Sequence, residues 1–175
     1  MRTLFSSLSV SSNFKGGKIM DVIIAGIGGQ GTILASNILS LVMVKKGYDV
    51  KKSEIHGMSQ RGGSVISHIR FSENKIASPT VRLKSADILL SFHPNETRRY
   101  KHLLKENGKI IQLTDEDKAK LPNPRSLNIF GLGKLSSLFQ IEQEMWAESL
   151  KELIKPSILD INLKAFEIGL KEARS

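Results

Sequence analysis

At 175 residues, 40% of them apolar, the chain can build one sizeable core, so a single domain is the default reading. It has no cysteine, which excludes disulfides, thiolate-bound zinc, iron–sulfur clusters held by this chain and cysteine nucleophiles, and suits a reducing, cytoplasmic compartment. Twenty-six basic residues against 17 acidic give a net charge of +9, which attracts phosphates or an acidic protein partner.

No RNP-like aromatic pattern or basic recognition helix accompanies that charge, so nucleic acid is not an expected partner. No apolar run reaches the length of a membrane span either. The longest, from Ile33 to Val44, is broken by Ser36, Asn37 and Ser40.

Residues 1–19 are serine-rich and carry Arg2, Lys15 and Lys18 but no acid. They lack the long apolar region and small-residue cleavage site of a signal peptide. Lys15-Gly16-Gly17 is what AAA-GGA-GG encodes, a bacterial ribosome-binding sequence, and Met20 follows closely. Residues 1–19 are therefore expected to be a disordered leader or a misassigned start, with residues 20–175 forming the one domain.

Asp21 to Ala25 is a short β-branched run ending in glycines, which predicts a buried strand. From Thr32 to Lys46 apolar residues recur at helical spacing, and Gly47 supplies a stop. Tyr48–His56 and Ser64–Phe71 read as strands, joined by the loop GMSQRGG. Ile88–Phe92 is another strand, stopped by Pro94. A helix follows from about Asn95 to Glu106, with Arg98, Arg99, Lys101, His102 and Lys105 on its wet face. Asn107-Gly108 is the expected turn into a strand at Lys109–Leu113. The remainder predicts helices at about Ile129–Phe139, Gln143–Ile154 and Ile158–Glu172, the last with Ser157 and Asp160 as a capping box. The alternation implies an α/β class: a Rossmann-like three-layer domain with a mostly parallel sheet and a helical C-terminal segment.

Two loops carry candidate chemistry. AGIGGQGT follows the first strand and opens the first helix, with Gly26, Gly28 and Gly31 in G-x-G-x-x-G spacing. Glycines permit the tight turn and close backbone approach, and the helix N-terminus offers unpaired donors to an anion. Gly29, Gln30 and the Thr32 hydroxyl complete this candidate ligand-binding turn. No G-K-[ST] follows, which excludes a Walker phosphate loop. A dinucleotide site would also need an acid at the end of the second strand. Glu54 stands near that position, but Lys51, Lys52 and His56 surround it and a lysine pair is the alternative.

In the second loop, Ser59, Gln60, Arg61, Gly62 and Gly63 follow His56. A mostly parallel sheet places this loop on the same carboxyl edge as Gly26–Gly31, the edge on which open α/β sheets bind ligands. Arg61 can grip a phosphate or carboxylate through two bonds. His56 and Glu54 lie two residues apart on one strand face. The four histidines lack H-x-x-x-H spacing, and no nucleophile–base–orienter set can be assembled, so the chain does not read as a complete enzyme.

IIAGIGGQGTILASNIL, VKKSEIHGMSQRGGSVISHIRF, SADILLSFHPNE and INLKAFEIGLK together resemble the gamma-type subunit of the 2-oxoacid:ferredoxin oxidoreductases over roughly Met20 to Lys171. H-G-M-S-Q-R-G-G is similar to the form in the smaller (beta) subunit of the indolepyruvate branch. The resemblance implies a hetero-oligomer of anaerobic metabolism that converts an aryl or other 2-oxoacid to its acyl-coenzyme A and reduces ferredoxin. It implies that thiamine diphosphate and the iron–sulfur clusters sit in the larger partner subunit. This chain would cover the active site and help form the coenzyme A region. One departure stands out. Typical members carry a further strand–helix unit where this chain has only TDEDKAKLPNPRSL, Thr114 to Leu127.

Overall fold

A computed structural model of the protein describes residues 17–57 and 62–175. Five strands form one sheet in the order β2-β3-β1-β4-β5. They are β1 Met20–Ile27, β2 Asp49–His56, β3 Ser64–Ser72, β4 Ala86–Ser91 and β5 Leu104–Gln112. β1 pairs in parallel with β4, and β4 with β5. β3 runs antiparallel to both β1 and β2, so four strands point one way and β3 alone is reversed. The helices are α1 Thr32–Lys45, α2 Pro94–Tyr100, α3 Asp115–Ala119, α4 Leu127–Ser136, α5 Gln143–Leu153 and α6 Pro156–Arg174.

β1 is buried on both faces, and its alternation divides the core in two. Val22 and Ile24 point into the larger cluster with Ile38, Leu39, Phe130, Trp146 and Leu170, beneath α1, α4, α5 and α6. Ile23 and Ala25 point into a smaller cluster with Ile66, Val81, Leu89 and Leu103, on the side of α2. The α4–α6 crossing is very close. A Cβ on Gly133 would stand 2.1 Å from the Phe166 carbonyl oxygen, and one on Gly169 2.1 Å from that of Phe130.

At the amino edge of the sheet a buried polar network pins the 73–85 connection. Arg70 Nε donates to Asp21 Oδ1 at 2.7 Å and Nη1 to the Ser78 carbonyl at 2.9 Å. The Asp21 N–H donates to Asp87 Oδ2 at 2.8 Å, and Lys105 pairs with Asp87. Each buried charge has a partner, as burial requires.

Three local expectations are corrected. The helix expected to reach Glu106 ends at Tyr100; a 3-10 turn covers Lys101–Leu103, and β5 begins at Leu104. Asn107 and Gly108 are then inside β5, at a register shift between the Ala86↔Leu104 and Ile88↔Lys109 pairs. A bulge makes the break that a turn was expected to make. The basic cluster consequently straddles helix, turn and strand. The third correction concerns caps: α6 starts at Pro156 behind Lys155 with no side-chain cap, so Ser157 caps nothing. A capping box does occur, between Thr114 and Asp117 at the start of α3.

Candidate functional site: the carboxyl rim

The carboxyl ends of β1, β2, β4 and β5 share one rim, and the strand order reverses direction between β1 and β4, where open sheets leave a crevice. The β1–α1 turn lies there. Gly29 and Gly31 hold φ of +90° and +78°. Gly31 has no room for a side chain: a Cβ would sit 2.3 Å from Asn128 Nδ2, which donates to the Gly31 carbonyl at 3.2 Å. Gly26 leaves the space occupied by the Thr32 hydroxyl, 2.5 Å from where its Cβ would be.

The turn closes largely upon itself. Gln30 Oε1 accepts from the Ile27 N–H at 2.7 Å, and the Gln30 N–H donates back to the Ile27 carbonyl at 3.0 Å. Its Nε2 reaches the Phe92 carbonyl at 3.4 Å. Gln30 therefore braces the turn. Thr32 is buried, and its Oγ1 has no hydrogen-bond partner. Two further observations keep the rim open to an anion: Gly31 caps α1 without a side-chain bond, and no acid occupies the first helical turn.

The expected adjacency of the two loops is present, reached by a hairpin rather than a parallel crossover. The Gly57 N–H donates to the Ser64 carbonyl at 2.6 Å, closing the β2–β3 connection. The Gly28 N–H donates to the Gly63 carbonyl at 2.8 Å, which fastens one glycine loop to the other. Gly62 adopts φ +66° against Ile27. Ser59, Gln60 and Arg61 lie outside the described residues.

His56 ends β2 with an exposed side chain, its Nε2 3.7 Å from Glu54 Oε2. Glu54 is bound to Lys52 at 2.6 Å, and that hydrogen bond, against the opposing effect of burial, holds its carboxyl below the usual range. This is the lysine pair that stood as the alternative to a ribose-binding acid. Among the described residues no group of three or more His, Asp or Glu is placed to hold a metal ion. No helix there is long and apolar enough to cross a membrane.

Residues outside the two signatures complete the rim. A cleft of about 400 Å³ lies between the hairpin crown and α2, lined by Ile27, Gly62, Gly63, Ser64, Glu96 and Arg99 among others. A second, of about 490 Å³, opens beside the ends of β4 and β5 between His93, Thr114, Asp115 and Lys118. Asn128 had a visible signal, a lone amide in the apolar run LNIFGL. Glu96 and Tyr100 had none.

Comparison with known proteins gives this Rossmann-like unit with its glycine-built rim a family. Residues 21–123 match the model of the pyruvate ferredoxin/flavodoxin oxidoreductase family, a span that includes both glycine loops. The indolepyruvate oxidoreductase subunit IorB of Thermococcus kodakarensis is 30% identical over 197 aligned positions, covering 90% of this chain and 97% of that one. The corresponding subunit of Pyrococcus horikoshii is 31% identical over the same coverage.

In fold, the chain superposes with TM-score 0.75 on the keto/oxoacid ferredoxin oxidoreductase gamma subunit of Geobacter sulfurreducens (21% identity, 90% of this chain, 97% of that one). It superposes with TM-score 0.80 on part of the 2-oxoglutarate:ferredoxin oxidoreductase of Magnetococcus marinus, solved with 2-oxoglutarate, coenzyme A and succinyl-CoA (20% identity, 91% of this chain, 32% of that one). The chain belongs to the pyruvate ferredoxin/flavodoxin oxidoreductase family and is a gamma-type, non-autonomous subunit of a 2-oxoacid:ferredoxin oxidoreductase. The 197-position alignment exceeds the 175 residues of this chain, so the Thermococcus relative carries a stretch without counterpart here.

Proposed function

We propose that the chain serves an indolepyruvate-type enzyme in the cytoplasm. It would sit over the active site of a larger subunit that carries thiamine diphosphate and iron–sulfur clusters, and help form the coenzyme A region. The overall reaction takes a 2-oxoacid, coenzyme A and two oxidised ferredoxins to acyl-coenzyme A, carbon dioxide, two reduced ferredoxins and a proton. Decarboxylation and electron transfer are the partner's chemistry. This chain's residues bind and orient.

The observation that carries the reading is the Gly28–Gly63 bond, which fastens the two signature loops into one rim. The first turn of α1 and the Arg61 guanidinium are the groups suited to an anion there. Gly26, Gly28, Gly29, Gly31, Gly62 and Gly63 let the backbone come close, Gln30 and Thr32 support the turn, and His56, Ser59 and Gln60 are the second signature's further candidates for contact with the ligand. The short Thr114–Leu127 connection leaves room for one other reading of the substrate, a paralogue acting on pyruvate, 2-oxoglutarate or a branched-chain 2-oxoacid.

Arg61→Ala is the test. In the reconstituted complex it is expected to leave folding and assembly intact and to lower the apparent affinity for coenzyme A by about tenfold or more, the loss of a charge-assisted contact. An unchanged dependence on coenzyme A overturns the proposed role.

A further inference from the structure

Ser64 is the first residue of β3, pairs with Ile27 at the end of β1, and closes the exit of the second glycine loop. Its hydroxyl meets two side chains of α2. Ser64 Oγ donates to Glu96 Oε2, and Tyr100 Oη lies 2.7 Å from the same Oγ. Ser64 has a single proton and the carboxylate takes it, so the Tyr100 hydroxyl must be the donor in the second bond. The result is one directed chain, Tyr100 O–H to Ser64 O–H to Glu96, and bonds arranged this way reinforce each other.

The acceptor is well placed to make this chain firm. Glu96 is 3% exposed, and its other oxygen faces Arg99 Nε at 3.5 Å. A buried carboxylate that lost the Ser64 donor would be left short of a partner. The residue before Ser64 is Gly63, whose carbonyl receives the Gly28 N–H. Whatever fixes Ser64 thus fixes the joint between the two loops.

We propose that Glu96 and Tyr100 are positioning residues that hold Ser64, and through it the Gly63–Gly28 joint, in the arrangement that receives coenzyme A. This rests on the role proposed above for the rim. α2 acts as a latch on the hairpin crown, and the 400 Å³ cleft is the space across which it acts.

The test uses the reconstituted complex, with coenzyme A varied at saturating 2-oxoacid. Ser64→Ala and Tyr100→Phe are expected to assemble normally, to keep kcat within about twofold, and to raise KM for coenzyme A about fivefold to tenfold. Ser64→Thr, which keeps the hydroxyl, is expected to restore KM. Arg61→Ala is measured beside them. If Arg61→Ala leaves KM unchanged, coenzyme A does not use this rim and both readings fall. If it raises KM while Ser64→Ala and Tyr100→Phe do not, or if Ser64→Thr behaves like Ser64→Ala, the rim stands and the latch is overturned.

Discussion

His68 shows how one buried residue ties stability to pH. It lies on β3 opposite Ile23 and is 4% exposed, and its Nδ1 accepts the Val81 N–H at 3.1 Å. That bond requires the neutral ring. Burial pushes its pKa below 6.5; the nearby Asp21 carboxylate opposes this and Arg70 adds to it. A depressed pKa means that the unfolded chain takes up the proton first. The contribution is complete above pH 6.5 and is lost as pH falls below it. The denaturation midpoint of the wild-type protein should therefore drop more steeply between pH 7.5 and 5.5 than that of His68→Gln. Equal slopes would show that His68 stays out of the pH dependence. Histidine itself was visible in the sequence; its burial was not, because that depends on the 73–85 connection folding back over β3.

At the scale of elements, legibility followed how many constraints each segment carried. β1 was plain because both of its faces are buried, which forces the run VIIA between Met20 and the glycines. α1 was plain at both ends, since Gly31 and Gly47 each take a positive φ. The start of β5 was not. Leu104–Asn107 continues a charged, helix-like composition, and only the Ala86↔Leu104 pairing claims it for the sheet. Strand direction at β2–β3 follows from length instead: seven residues between His56 and Ser64 are too few for a parallel crossover, and the pairing is antiparallel. The site divides in the same way. Its glycine signatures are local and were legible, whereas the Ser64–Glu96 contact joins residues 32 apart.

The α4–α6 crossing was equally hidden, since its two glycines are 36 positions apart in sequence and meet only in space. Gly169→Ala would raise helix propensity by about 1 kcal/mol. Its methyl group would stand 2.1 Å from the Phe130 carbonyl oxygen, which is backbone and cannot swing away. The helices must separate, so the net change is expected to be a loss of about 1–3 kcal/mol in chemical denaturation. A stabilised Gly169→Ala would mean that the crossing relaxes at little cost.

For the whole molecule, family membership makes this chain a non-autonomous subunit of a larger enzyme. The family match spans both glycine loops, and in the Magnetococcus structure the corresponding unit is 32% of one longer chain. A subunit of this kind has no activity to show alone, so association is the property to measure. The direct measurement is anaerobic isolation of the untagged native complex through this chain, with the co-purifying protein identified and its thiamine diphosphate, iron and sulfide assayed. The expected result is a larger partner carrying all three, and coenzyme A-dependent ferredoxin reduction when a 2-oxoacid is supplied. A chain recovered only as a monomer or homodimer, with no such partner, would contradict it.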